Sequence, residues 1–103
     1  MSGPFFMWYV YVLYSVSSGK TYVGYSNDLE RRLFEHNVSE SKGFTLRYRP
    51  WLLIYKEAYE TKREAMRRER FFKSGQGREQ IKIIVEECLK KQAVRYPPKA
   101  EKD

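Results

Sequence analysis

The stretch Gly19–Asn37, GKTYVGYSNDLERRLFEHN, decides how this 103-residue chain is read. Its first half, Thr21–Tyr25 (TYVGY), is aromatic and β-branched and follows a glycine-containing turn, the pattern of a strand returning from a hairpin. Its second half places leucines four residues apart among charges, the pattern of an amphipathic helix. Ser26 or Asn27 can cap that helix, and Asn27 with Glu30 has the capping-box spacing, so the helix is expected to run to about His36. At 100° per residue, with Leu29 at about 0°, Leu33 falls near 40°, His36 near 340°, Arg32 near 300° and Arg31 near 200°. Arg32 and His36 therefore share the leucine face that should dock on a sheet, while Arg31 faces water. A snorkelling arginine and a histidine at a helix end are the ordinary explanation of such a pair. The rest of the chain decides whether that explanation suffices.

Upstream, Trp8–Tyr14 (WYVYVLY) reads as a strand and Ser17–Lys20 as a turn. A two-residue loop at Ser18–Gly19 sets Tyr11 opposite Ser26 and Tyr22 opposite Ser15. Tyr11 and Tyr22 then point to one face of the sheet, and any loop with an even number of residues gives the same result. Downstream, Ser39–Pro50 is a polar loop and Trp51–Ala58 a third strand. A second helix is expected over Thr61–Lys73, capped by Thr61 with Glu64, and it is broken by Ser74–Gly77 (SGQG). A third helix should span about Arg78–Lys90, its core stripe made by Ile81, Ile84, Val85, Cys88 and Leu89. The order β-β-α-β-α-α predicts an α+β domain, a three-stranded, mostly antiparallel sheet flanked by helices. The domain is expected over residues 7–90, with an N-terminal extension at 1–6 and a charged tail at 91–103.

A chain of this length suits one domain. Its net charge of +7 and pI near 9.6 point to a polyanionic partner, nucleic acid before an acidic membrane surface. The excess is concentrated: Arg31–Lys73 holds twelve lysines and arginines against six glutamates. The single cysteine, Cys88, excludes an intrachain disulfide and a cysteine-based zinc site, and on its helical stripe it reads as a small buried hydrophobe. The apolar run Phe5–Tyr14 is too short to span a membrane, and no basic residue precedes it as in a signal peptide. A cytoplasmic protein is expected.

On the second helix, with Ala65 at about 0°, Phe72 falls near 340° and Glu69 near 40°. Glu69 thus stands on the apolar side, where an unpaired carboxylate is costly. It can pair with a neighbouring arginine, or it can hold a hard cation such as Mg²⁺, which often takes only one or two protein carboxylates. Two tyrosines on a sheet face, an arginine and a histidine on a helix, one carboxylate and a basic surround suit phosphodiester hydrolysis. A metal on the carboxylate stabilises the leaving oxygen, the arginine stabilises phosphoryl charge, and a tyrosine among cations can take a proton from water.

Tyr9-Val10-Tyr11, then Tyr22-Val23-Gly24, Arg32 eight residues after the glycine and Glu69 in a later helix resemble the GIY-YIG nuclease domain, in particular its small single-domain bacterial members. The resemblance covers Trp8 to Leu89. It implies metal-dependent endonucleolytic hydrolysis of DNA, in a role that fits structure-specific cutting in DNA repair or processing. By position, Tyr11 and Tyr22 are the motif tyrosines and one of them is the general base; Tyr11 is preferred, with Tyr22 orienting water or phosphate. Arg32 would hold the scissile phosphate, Glu69 a single Mg²⁺ or Mn²⁺, and His36 a polar active-site position. Gly24 would leave room beside Tyr22 for phosphate or for the approaching helix. Two departures stand out: Tyr9 replaces the first motif glycine, and no asparagine follows Glu69.

The alternative function is a nucleic-acid-binding module that no longer cleaves, on the same scaffold. In either case Lys42, Arg47, Arg49, Lys73 and Arg78 are the candidate phosphate contacts, and binding should weaken steeply with salt. An aromatic protein-docking patch using Trp8 and Trp51 is a third, weaker reading, since both fit strand cores. A domain of this size is expected to recognise DNA structure, or to draw specificity from an accessory protein.

Overall fold

A computed structural model describes residues 7–39 and 43–95. Three strands form one antiparallel sheet in the order β2-β1-β3, with β1 Trp8–Ser15, β2 Thr21–Ser26 and β3 Trp51–Tyr59. The helices are α1 Leu29–Phe34, continued by a π-helical turn at Glu35–Ser39, then α2 Phe44–Arg47, α3 Lys62–Phe72 and α4 Gly75–Arg95. The α+β class is as the sequence predicts. Within the loop expected over Ser39–Pro50 there is a short helix, α2. The last helix starts three residues earlier and ends five residues later than its periodicity suggests. The N-terminal extension and residues 96–103 of the expected tail lie outside the described residues.

The hairpin is wider than a two-residue turn. Tyr14 pairs with Thr21 and Tyr11 with Gly24, while Tyr22 stands opposite Leu13. Ser15 N donates to Lys20 O (2.9 Å), closing a four-residue loop in which the Ser15 hydroxyl accepts from Ser18 Oγ (2.8 Å) and Ser18 N (3.3 Å). These local hydroxyl bonds favour a wider turn over a tight one. The expected pairs Tyr11–Ser26 and Tyr22–Ser15 are thus corrected by two positions. The loop is still even, so both tyrosines share a face.

β1 is buried on both sides. Val10 and Val12 face α3 and α4, packing with Val23, Ala65, Phe72 and Ile81. Tyr11 and Leu13 face the other way, packing with Trp51, Leu53 and the α1 leucines Leu29 and Leu33. A bulge lets β3 serve both layers: Leu13 pairs with Leu53 but Val12 pairs with Tyr55, leaving Ile54 as the extra residue. Trp51 and Leu53 therefore join the α1 layer, and Tyr55, Glu57 and Tyr59 the α3 layer.

Thr61 and Glu64 form the predicted capping box on α3. Ser74 then joins α3 to α4, donating to Phe71 O (2.5 Å) while its hydroxyl accepts from Gly77 N (3.3 Å). Gly77 sits so close to α3 that a Cβ on it would stand 1.9 Å from Phe71 O. The α4 stripe is a core only over its first turns: Ile81 is buried, Cys88 half-buried and Leu89 47% exposed.

Candidate active site

The α1 layer of the sheet carries the site. Asp28, not Ser26 or Asn27, caps α1, accepting from Arg31 N (3.2 Å), while the Ser26 hydroxyl accepts from Asp28 N (2.9 Å). This start sets the helical phase. Leu29 and Leu33 reach the sheet, and the π-helical turn that follows carries His36 over it, 1% exposed.

Tyr11 Oη and His36 Nε2 are hydrogen-bonded at 3.0 Å, and Tyr11 is as buried as the histidine. Tyr22 meets the imidazole edge-on, with ring centroids 4.8 Å apart. Its ring also lies 6.4 Å from that of Tyr11 and 6.3 Å from that of Trp51. Both strand tyrosines and the helix histidine thus converge.

Gly24 has a different task from the one the sequence suggests. A Cβ there would stand 2.5 Å from Tyr11 Oη and 3.1 Å from Tyr22 Cε2. The space is filled by the Tyr11 phenol and not left open for phosphate or for α1.

Arg32 joins the group from one turn before His36. Its Nη1 donates to Glu35 Oε1 (2.5 Å) and its guanidinium also contacts the Tyr11 hydroxyl. Burial works against its charge, but these contacts outweigh burial and raise its pKa above the ordinary arginine value. It remains a cation beside the phenol. Glu35 was not singled out in the sequence, although its i, i+3 spacing from Arg32 is the signal that could have found it.

Behind the site, Arg49 donates from Nε to His36 O (2.6 Å) and from Nη2 to Glu35 O (3.2 Å). This residue, expected at a DNA phosphate, instead satisfies carbonyls at the end of the helical segment. Asn37 reaches Trp51 with both amide atoms, Oδ1 accepting from Trp51 N (2.6 Å) and Nδ2 donating to Trp51 O (3.0 Å). Trp51 itself is 2% exposed and its Nε1 donates to Thr45 O (2.7 Å), so it forms no surface patch. Arg47, Lys73 and Arg78 are exposed, and Lys42 lies outside the described residues.

Glu69 comes from the other layer. On α3, Ala65 and Phe72 mark the line buried against β1. Arg68 flanks that line on one side and reaches Glu57 of β3 (2.8 Å). Glu69 flanks it on the opposite side, toward β2, the strand that carries Tyr22. Its carboxylate accepts from Lys73 Nζ (2.7 Å), and its side chain is only 17% exposed. Among the described residues no group of three or more His, Cys, Asp or Glu side chains could enclose a metal ion. A single half-buried carboxylate still suits a hard cation that draws its other ligands from water and phosphate oxygens.

These features define a class: a small basic α+β domain that sets a phenol, an imidazole and a guanidinium together on one face of an antiparallel sheet. Residues 7–82 match the GIY-YIG catalytic domain, and the chain belongs to that family, which places it among nucleases. It is similar to a UPF0213 protein of Bacillus pumilus, 40% identical over 85 residues, 82% of this chain and 86% of the relative. A UPF0213 protein of Bacillus licheniformis is 38% identical over 93 residues, 90% of this chain and 93% of that one. The solution NMR structure of a UPF0213 protein from Bacillus halodurans aligns with a TM-score of 0.45 at 32% identity, over 73% of this chain and 81% of that one. No helix among the described residues is long and apolar enough to cross a membrane.

Proposed function

We propose that the protein is an endonuclease that hydrolyses DNA phosphodiesters with the help of one divalent cation, Mg²⁺ or Mn²⁺. The observation that carries this is the buried 3.0 Å bond between Tyr11 Oη and His36 Nε2, with the Arg32 cation on the same hydroxyl.

The tyrosine is a weak base until it loses its proton, and His36 stands where it can receive it. Arg32 stabilises the resulting phenolate. Tyr11 then takes a proton from water, and the hydroxide forms a new P–O bond as the bond to the leaving oxygen breaks. The leaving oxygen is protonated from solvent, giving a phosphate monoester and an alcohol. Tyr22 and Arg32 orient the phosphate, and Arg32 stabilises the charge on its oxygens. Glu69 would hold the cation once Lys73 turns aside, and the cation would there supply electrostatic stabilisation of charge on the leaving oxygen. Arg47, Lys73 and Arg78 are proposed to hold the flanking backbone, and Lys42 is proposed from sequence alone.

The test is a Mg²⁺/Mn²⁺ cleavage assay on single-stranded, nicked, flapped and branched DNA. Wild type should cleave, and Tyr11→Phe and Glu69→Ala should each lose roughly 10²–10⁴-fold in rate. Salt-sensitive binding without any cleavage by wild type would instead establish a non-cleaving DNA-binding module. Cleavage that survives both substitutions would show that the site is wrongly placed.

A further inference from the structure

β2 is an outer strand of the sheet, and a cleft of about 610 Å³ opens between it and α4. That volume is in the range of small-molecule sites, about 300–1,000 Å³. Its floor is apolar, made by Val23, Phe72, Ile81 and Val85. Its rim carries Lys73, Arg78 and Lys82 against a single acid, Glu86. Tyr22 belongs both to this lining and to the site around His36. Lys73 belongs both to the rim and to the Glu69 carboxylate. Tyr22 and Lys73 thus line the cleft and also touch groups of the candidate active site, His36 and Glu69 respectively.

We propose that this cleft receives an unpaired nucleotide of the DNA strand being cut, so that the preferred substrate carries a single-stranded extension beside the scissile phosphate. The inference rests on the nuclease reading above. Three cations on the rim suit phosphates. An apolar floor suits the face of a base, which is exposed only when the base is unpaired, and base burial of this kind tolerates any sequence. An acidic peptide would satisfy the rim but leave the floor uncovered. A duplex, with its bases stacked inward, would do the same.

The experiment measures affinity by fluorescence anisotropy in EDTA, where no cleavage occurs. It compares a flush duplex, the same duplex with an oligothymidylate extension, and the same duplex with an abasic extension. The thymidylate extension should tighten binding about tenfold and the abasic extension much less, since stacking of each base contributes measurably. Lys82→Glu should bring the ratio of extended to flush affinity toward one, and Glu86→Lys should raise it. Both residues are exposed, so neither variant threatens folding. A flush duplex that binds and is cleaved, with a wild-type ratio near one, would overturn the cleft assignment and leave the nuclease reading intact. Equal gain from the abasic extension, or equal competition by polyglutamate and oligothymidylate, would also overturn it. Failure to bind any DNA would remove both.

Discussion

Gly24 stands directly opposite Tyr11 in the β1–β2 register, and a Cβ on it would lie 2.5 Å from the phenol oxygen. The glycine of this strand is therefore a mould for the tyrosine ring. Gly24→Ala should push the hydroxyl off His36 Nε2 and slow cleavage roughly 100-fold, the scale of a misplacement near 1 Å. It should also cost about 1–3 kcal/mol as an overpacked core site. Because the nearest atom is the hydroxyl, the stability cost should shrink in a Tyr11→Phe background. Chemical denaturation of the two single variants and the double variant measures this, and strict additivity would count against it.

A second cluster governs stability and lies on the opposite layer. Glu57 accepts from Arg68 Nε and Nη2 (2.8 and 3.0 Å), from Tyr55 Oη (2.5 Å) and from Tyr59 Oη (2.6 Å). Burial pushes the Glu57 carboxyl up, but the bonds from Arg68 and the two tyrosines outweigh burial and hold it below its ordinary value of 4.5. A depressed folded pKa contributes stability above the unfolded value, lost as pH falls through the folded one. Burial and the Glu57 carboxylate push Tyr59 the other way, up to about 12. Its contribution is full below its ordinary value of 10 and is lost as pH rises through about 12. Thermal melts should thus show a plateau between these limits. Glu57→Gln should lower stability by about 2 kcal/mol, the scale of hydrogen bonds to a charged group, and should flatten the acid limb. An unchanged acid limb would show that the cluster does not set it.

Replacing glycine by alanine inside a helix ordinarily stabilises by about 1 kcal/mol. At Gly77 the opposite is expected, since a Cβ would meet Phe71 O at 1.9 Å and Phe72 Cα at 2.4 Å, both backbone atoms that cannot rotate away. Gly77→Ala should force α4 off α3 and cost about 3 kcal/mol or more. Urea unfolding decides between the two signs.

If Glu69 holds the proposed cation, Lys73 is its competitor, since its Nζ already donates to that carboxylate at 2.7 Å. The pair is half exposed on the lysine side, so its strength is modest. Lys73→Met should tighten Mn²⁺ binding about two- to fivefold by calorimetry, and Glu69→Gln should abolish it. Equal Mn²⁺ affinity in all three chains would place the cation elsewhere.

The parts of this molecule that were legible in its sequence are those set by local rules. The Thr61–Glu64 capping box fixed α3, and the 100° phase put Arg32 on the sheet side of α1 and His36 on the same side of the turn that follows it. The even hairpin brought Tyr11 and Tyr22 together even though its length was wrong, because parity alone controls the face. What was not legible depends on contacts between distant segments. The bulge at Ile54 turns the two halves of β3 to opposite layers, and no single-strand periodicity can show that. Arg49 looked like any other loop cation, because the carbonyls it satisfies become neighbours only after folding. Nor does the α4 stripe by itself distinguish Ile81, which is buried, from Leu89, which is 47% exposed.

Asn37 uses its side-chain amide as a neighbouring strand would use its backbone, giving and accepting one bond each at Trp51. Unpaired groups on an outer strand are a template for another chain. At Trp51, the first residue of β3, that template is already occupied from within. The residue that follows His36 thus satisfies the first position of this outer edge without a fourth strand.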